Sequence, residues 1–254
     1  MAIHDFRSQR LFVDGELVEG RSFDIPREQA NYLLNVLRLN EGAQILVFNG
    51  RDGEWLCAVH PQGRKKCFLE PMEQVRPQPS PFPLTYCFAP LKQARLDYMI
   101  QKAIEMGVGV LQPVITEFTQ VRTVNEKRVL TNAIEAAEQC GILSLPEIRD
   151  PVPLTSLRDS LTPNTQIVFC DESAGDIQLD QEAVRSDCQV ALLIGPEGGF
   201  SNEEREMILK WPDTLRLGLG PRILRADTAA VAALTIVQSS IGDWQKATNK
   251  QMST

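Results

Sequence analysis

Two glycine-bearing turns in the C-terminal half carry the residue types best suited to chemistry. The first is Leu193-Ile194-Gly195-Pro196-Glu197-Gly198-Gly199-Phe200-Ser201, and the second is Leu217-Gly218-Leu219-Gly220-Pro221-Arg222-Ile223-Leu224-Arg225-Ala226-Asp227-Thr228. Each follows an apolar run that reads as a buried strand, and ligands of open α/β sheets lie beyond the carboxyl ends of such strands. Glycine at these points lets backbone N–H and C=O groups approach a flat ligand. The spacing is not a dinucleotide fingerprint, because Gly218 and Gly220 would require glycine where Ile223 stands. Neither turn ends in the Gly-Lys-Ser/Thr of a phosphate loop. Glu197 in the first turn, with Arg222, Arg225 and Asp227 in the second, supplies groups able to accept a proton or stabilise developing charge.

The elements that must position these turns alternate strand with helix from Leu84 onward, the pattern of a parallel α/β sheet. Strands are expected at Leu84–Ala89, Val108–Ile115, Gln166–Cys170, Gln189–Ile194 and Thr214–Leu217. Between the first two, Leu96, Met99, Ile100 and Ala103 share a helical face, with Gly107 as a C-cap. Glu126–Cys140 reads as a helix with Val129, Leu130, Ala133, Ile134 and Ala137 inward. Ser201 and Glu204 form a capping box for the next helix, and Asp227–Ile241 is a final apolar one.

Residues 1–75 have a different texture. Short strands are separated by Asp14-Gly15, Asn49-Gly50 and Asp52-Gly53, and Arg10–Val13 with Glu16–Val18 reads as a hairpin about Asp14-Gly15. A helix with Ala30, Leu33, Leu34 and Leu37 on one face lies among them, which suggests a small barrel-like module. Four prolines between Arg76 and Pro83 make residues 76–83 a stiff linker. The second domain then covers 84–245, with a flexible tail expected at 246–254.

Composition limits the function classes. The 254 residues carry a net charge of −7, which weighs against nucleic acid unless a local patch such as Arg7 with Arg10, or Arg64-Lys65-Lys66, provides phosphate contacts. No run reaches the roughly 18 apolar residues of a membrane span. The N-terminal residues show no signal-peptide pattern, so a cytoplasmic protein is expected. Six cysteines, none spaced CxxC, and two histidines give no metal-ligand spacing, so no metal is expected.

The two turns together resemble the cofactor-binding signature of SPOUT methyltransferases, and among them the family that methylates N3 of a uridine in 16S ribosomal RNA. Gln101-Lys102-Ala103-Ile104-Glu105-Met106-Gly107, Thr116-Glu117 and Glu135–Gly141 are similar to further segments of that family. Arg10–Val13 and Val36-Leu37-Arg38-Leu39 resemble its PUA-like RNA-binding domain. Ile142, Phe118 and Asp227 depart from the family pattern, where Arg, Arg and Glu are frequent. The resemblance implies S-adenosylmethionine as cofactor, a knotted parallel sheet with a deep trefoil knot behind a PUA-like β-barrel, and a homodimer. Its partner would be ribosomal RNA or the small ribosomal subunit.

On this reading Ile194, Gly195, Pro196, Glu197, Gly198, Leu217, Gly218, Leu219, Gly220, Ile223 and Leu224 hold the cofactor. Arg225 stabilises charge on the uracil oxygens, with Arg10 as a second candidate, because a guanidinium offers several fixed donors. Glu197 or water accepts the N3 proton. Arg7, Arg10, Arg38 and Arg222 contact RNA. Other readings stay open at this point: a related knotted enzyme acting on a transfer-RNA ribose 2′-hydroxyl, a non-catalytic RNA-binding protein, or a small-molecule α/β enzyme.

Overall fold

The apolar runs at 165–170 and 189–194 become neighbouring parallel strands, and the sheet built around them organises the larger of two compact units. In the computed structural model, residues 9–63, 65–174, 179, 183–185 and 188–244 are described. One unit holds the residues up to Ser80 together with Ile134–Leu145, and the other holds Pro81–Ala133 with the chain from Pro146 onward. The division falls inside the proline-rich stretch. It also assigns the end of the helix over 126–140 to the N-terminal unit, which a single linear boundary does not anticipate.

In the N-terminal unit, strands β1 (Arg10–Phe12), β2 (Phe23–Asp24), β3 (Gln44–Phe48), β4 (Glu54–Pro61) and β5 (Cys67–Arg76) form one sheet in the order β1-β3-β4-β5-β2. Helix α1 (Arg27–Asn31) continues as a π-helical turn over Tyr32–Val36, and its Ala30 and Leu33 enter a core with Leu11, Ile45, Val47 and Val59. The expected hairpin about Asp14-Gly15 does not form. β1 pairs in parallel with β3, and residues 16–18 make no strand. Side chains fasten this loop instead of a ladder. The Asp52 carboxylate accepts the Leu17 N–H at 3.0 Å, the Asn49 amide donates to Gly15 O at 2.8 Å, and Gly15 leaves room for the Phe23 ring. Strand β5 was not legible because Glu70, Pro71 and Glu73 break its pattern. Pro71 has no N–H to donate and sits opposite Cys57, beside a register shift.

The second unit contains β6 (Leu84–Phe88), α2 (Gln93–Glu105), β7 (Val110–Ile115), the first half of α3 (Glu126–Cys140), β8 (Glu147–Ile148), β9 (Val152–Pro153), α4 (Leu154–Ser160), β10 (Thr165–Cys170), β11 (Gln189–Ile194), α5 (Asn202–Lys210), β12 (Thr214–Leu217) and α6 (Ala226–Ile241). The strand order is β12-β10-β11-β6-β7-β8, with β9 beside β7, and every pairing is parallel. Leu192 and Leu193 at the centre of β11 have no exposed surface, as expected for a parallel sheet covered on both faces.

Helix α2 buries Leu96, Met99, Ile100, Ala103 and Ile104, and Gly107 ends it with φ +76° while its N–H donates to Ile104 O. The buried Gln238 of α6 donates to Met106 O at 2.5 Å and accepts from the Asp243 N–H at 3.1 Å, so one amide joins the ends of both helices. On α3, Leu130 faces outward rather than inward as expected, 40% exposed, while Val129 and Ala133 are buried. No described helix is long and apolar enough to cross a membrane.

Candidate active site

β10, β11 and β12 end together, with Phe169 opposite Leu193 and Cys170 opposite Leu217. Beyond their carboxyl ends, between the two glycine turns, lies a cavity of about 210 Å³. The first turn is shaped by its own side chains. A Cβ on Gly195 would lie 2.6 Å from the Phe200 ring, so glycine lets that ring fold beneath the turn and meet Phe169 edge-on, centroids 5.3 Å apart. Gly199, at φ +70°, closes the turn with its N–H on Pro196 O at 2.9 Å. The capping box then starts α5: Ser201 Oγ accepts from the Glu204 N–H at 3.3 Å, and Glu204 Oε2 accepts from the Ser201 N–H at 3.0 Å. One turn into that helix, Arg205 points back at the cavity.

The polar wall is built around Asp171, directly after β10. Its side chain is 1% exposed. Oδ1 accepts from Arg205 Nε at 3.0 Å and from the Ser173 N–H at 3.0 Å. Oδ2 accepts from Arg205 Nη2 at 3.0 Å and from Arg216 Nε at 2.9 Å. Burial by itself would push the Asp171 carboxyl up, but the hydrogen bonds from Arg205, Ser173 and Arg216 hold it below the usual carboxylate range. A single carboxylate thus joins the end of β10, helix α5 and strand β12, the elements that frame the cavity. The rest of the wall is largely apolar, with Ile194, Phe200, Leu217, Leu219 and Leu224.

Of the residues expected at a cofactor site, Ile194, Gly195, Pro196, Leu217, Leu219, Gly220, Ile223 and Leu224 line the cavity. Gly218 does not appear on its wall. Glu197 and Gly198 turn to a second, smaller recess on the other side of Pro196, beside Lys92 and Phe118, and the Glu197 carboxylate is ion-paired with Arg95. Arg222 lines the cavity and is exposed. Arg225 is the N-cap residue of α6, exposed, with no hydrogen bond or ion pair of its side chain among the described residues. Ile223, at the mouth, is 92% exposed.

The remaining candidates come from the N-terminal part of the sequence. Arg10 is not a surface group. It is 7% exposed, and its Nε donates to Glu54 Oε1 at 2.9 Å, so its guanidinium is committed inside its own unit rather than presented to RNA. Arg38 is exposed and holds a left-handed backbone, φ +56°. Arg7 lies outside the described residues.

Asp171, Glu172 and Arg205 are not among the residues that the sequence singles out, and Phe200 stands there only as part of the first turn. One signal was available: Asp171-Glu172 closes the apolar run Ile167–Cys170 at a strand's carboxyl end, the same rule that singled out the glycine turns. Nothing local marks Arg205, because its partner lies 34 positions away.

Parallel strands that end on a cavity between glycine turns define an α/β protein of the class whose ligands lie at the carboxyl edge of the sheet. A family model described as an RNA methyltransferase domain matches residues 78–238, and another described as an RNA methyltransferase PUA domain matches residues 25–72. The ribosomal RNA small subunit methyltransferase E of Rickettsia conorii is 30% identical over 236 residues, which span 90% of this chain and 94% of that one. A Legionella pneumophila protein described as a methyltransferase, solved with its cofactor SAM bound, has TM-score 0.79 at 31% identity, covering 92% of this chain and 98% of its own. The ribosomal RNA small subunit methyltransferase E of Neisseria gonorrhoeae shares the fold, with TM-score 0.82 at 24% identity over 92% of this chain and 98% of its own. The chain belongs to the RNA methyltransferase family, in the group of ribosomal RNA small subunit methyltransferase E.

Proposed function

We propose that this chain transfers a methyl group from S-adenosylmethionine to N3 of a uridine in 16S ribosomal RNA, working in the cytoplasm on ribosomal RNA or the small subunit. The cavity at the ends of β10, β11 and β12 carries this reading. Its apolar walls suit a flat adenine, the glycine turns bring backbone groups to its edge, and Glu172 adds a carboxylate that has no partner among the described residues. These residues fit the cofactor. When bound there, S-adenosylmethionine supplies an electrophilic methyl group on sulfur.

The protein's own tasks are positioning and charge stabilisation. Ile194, Leu217, Leu219 and Leu224 exclude water around the ligand. Arg225, with a guanidinium not engaged by any described residue, stabilises the charge that grows on the uracil oxygens as the N3 proton leaves. Glu197 is already engaged by Arg95, so water takes that proton and Glu197 orders the recess beside Pro196. Arg222, at the cavity, and Arg38, on the N-terminal unit, contact RNA phosphates.

The reading includes a deep trefoil knot, a barrel-like PUA domain and a homodimer. The knot is supported by β12 returning to pair with β10 rather than β11, and by α6 packing on α2. The exposed Ile223 gives a second copy an apolar residue to cover. To test the function, labelled S-adenosylmethionine is incubated with the protein and small subunits from cells lacking this modification, and the RNA is digested to nucleosides. Label in N3-methyluridine is expected. Label in a 2′-O-methylated nucleoside, or in none, would overturn the reading.

A further inference from the structure

Two adjacent carboxylates at the end of β10 meet opposite fates. Asp171 is sealed by Arg205 and Arg216, and all its accepting capacity goes to them and to the Ser173 N–H. Glu172 lines the same cavity, is exposed, and has neither hydrogen bond nor ion pair among the described residues. The first glycine turn makes room for it. A Cβ on Gly199 would lie 2.7 Å from Glu172 Oε1 and 3.3 Å from its Cδ, so any larger residue would displace the carboxylate. An ionised carboxylate only accepts hydrogen bonds, and its two oxygens match a pair of neighbouring hydroxyl donors.

We infer that Glu172 accepts the vicinal ribose hydroxyls of the bound nucleoside and so selects a ribonucleoside cofactor. The inference rests on the proposed S-adenosylmethionine site. One other lining residue favours a diol over an ammonium as the group at Glu172. Arg222 shares the cavity with it, and its guanidinium repels a cation but not a neutral diol, whereas the charge of Arg205 is offset by Asp171. A carboxylate near the strand ends reads ribose hydroxyls in the same way in other nucleotide-binding α/β folds.

The test is calorimetric titration of S-adenosylhomocysteine and its 2′-deoxy analogue into wild type, Glu172→Gln and Glu172→Ala, with 5′-methylthioadenosine as a ligand that lacks the amino-acid ammonium. Wild type is expected to prefer the ribose form by about 10- to 100-fold, as for a hydrogen bond to a charged acceptor. Both variants should lose most of that preference and bind methylthioadenosine more weakly, with thermal midpoints unchanged because Glu172 is exposed. Wild-type binding with the full preference retained in Glu172→Ala would overturn the inference alone. So would a loss confined to ligands that carry the ammonium. No binding of S-adenosylhomocysteine to wild type would remove the cofactor reading and this inference with it.

Discussion

Each unit contains a carboxylate held between two arginines, and the two clusters have different surroundings. In the N-terminal unit Glu54 accepts from Arg10 Nε at 2.9 Å and from Arg76 Nε at 2.7 Å, and Arg76 also donates to Gly141 O at 3.0 Å. The Glu54 and Arg10 side chains are each 3% exposed. In the second unit Asp171 is as deeply buried, but Arg205 and Arg216 are about 30% and 33% exposed, and Arg205 borders a cavity. The first cluster locks β1, β4, β5 and the end of α3 together. The second fixes the same kind of contact at the rim of a cavity. The chemistry of the groups is shared, so function follows from what the arginines still face.

Removing each carboxylate should separate the two. Glu54→Gln strands two buried or half-buried guanidinium groups and should cost about 3–5 kcal/mol, read from urea unfolding. A loss below about 1 kcal/mol would mean that the cluster is hydrated. The arginines expected at the active site should then part company. Arg225→Ala should lower methyl transfer by roughly 10²-fold with cofactor affinity and thermal midpoint unchanged. Arg10→Ala should lower the midpoint instead, and turnover by Arg225→Ala equal to wild type would remove Arg225 from the site.

Asp171→Asn should cost less than the Glu54 change, about 1–3 kcal/mol, because water reaches Arg205 and Arg216. It should also weaken cofactor binding. Acid has the smallest effect and acts on both clusters. Burial alone would raise each carboxyl, but hydrogen bonds from the paired arginines leave both below their unfolded values. Their stabilisation is therefore complete above the unfolded carboxylate range, near pH 4, and is lost as pH falls through the lower folded values. Midpoints measured from pH 6 to pH 3 should fall below about pH 4, and less steeply in the variants. A wild-type midpoint that rose on acidification would contradict this.

These clusters also show what the sequence could and could not reveal. The glycine turns, the Ser201–Glu204 capping box and the Gly107 helix end were legible because each is settled within a few residues. Strand β11 and helix α6 were legible because long apolar runs admit few readings. Arg10 was misjudged as a surface cation because Glu54, which buries it, is 44 positions away. Asp171 was missed for the same reason in reverse, since nothing near it announces Arg205 and Arg216. The Asp14-Gly15 turn signal was outweighed by Asn49 and Asp52, which hold that loop from a distant part of the chain.

The most direct measurement is calorimetric titration of S-adenosylmethionine into wild type, Asp171→Asn and Glu54→Gln at a temperature where all three are folded. The expected result is saturable binding to wild type, near-equal binding to Glu54→Gln, and clearly weaker binding to Asp171→Asn. Absence of binding to wild type, or an equal loss in both variants, would contradict the assignment of the cofactor to the cavity beside Asp171.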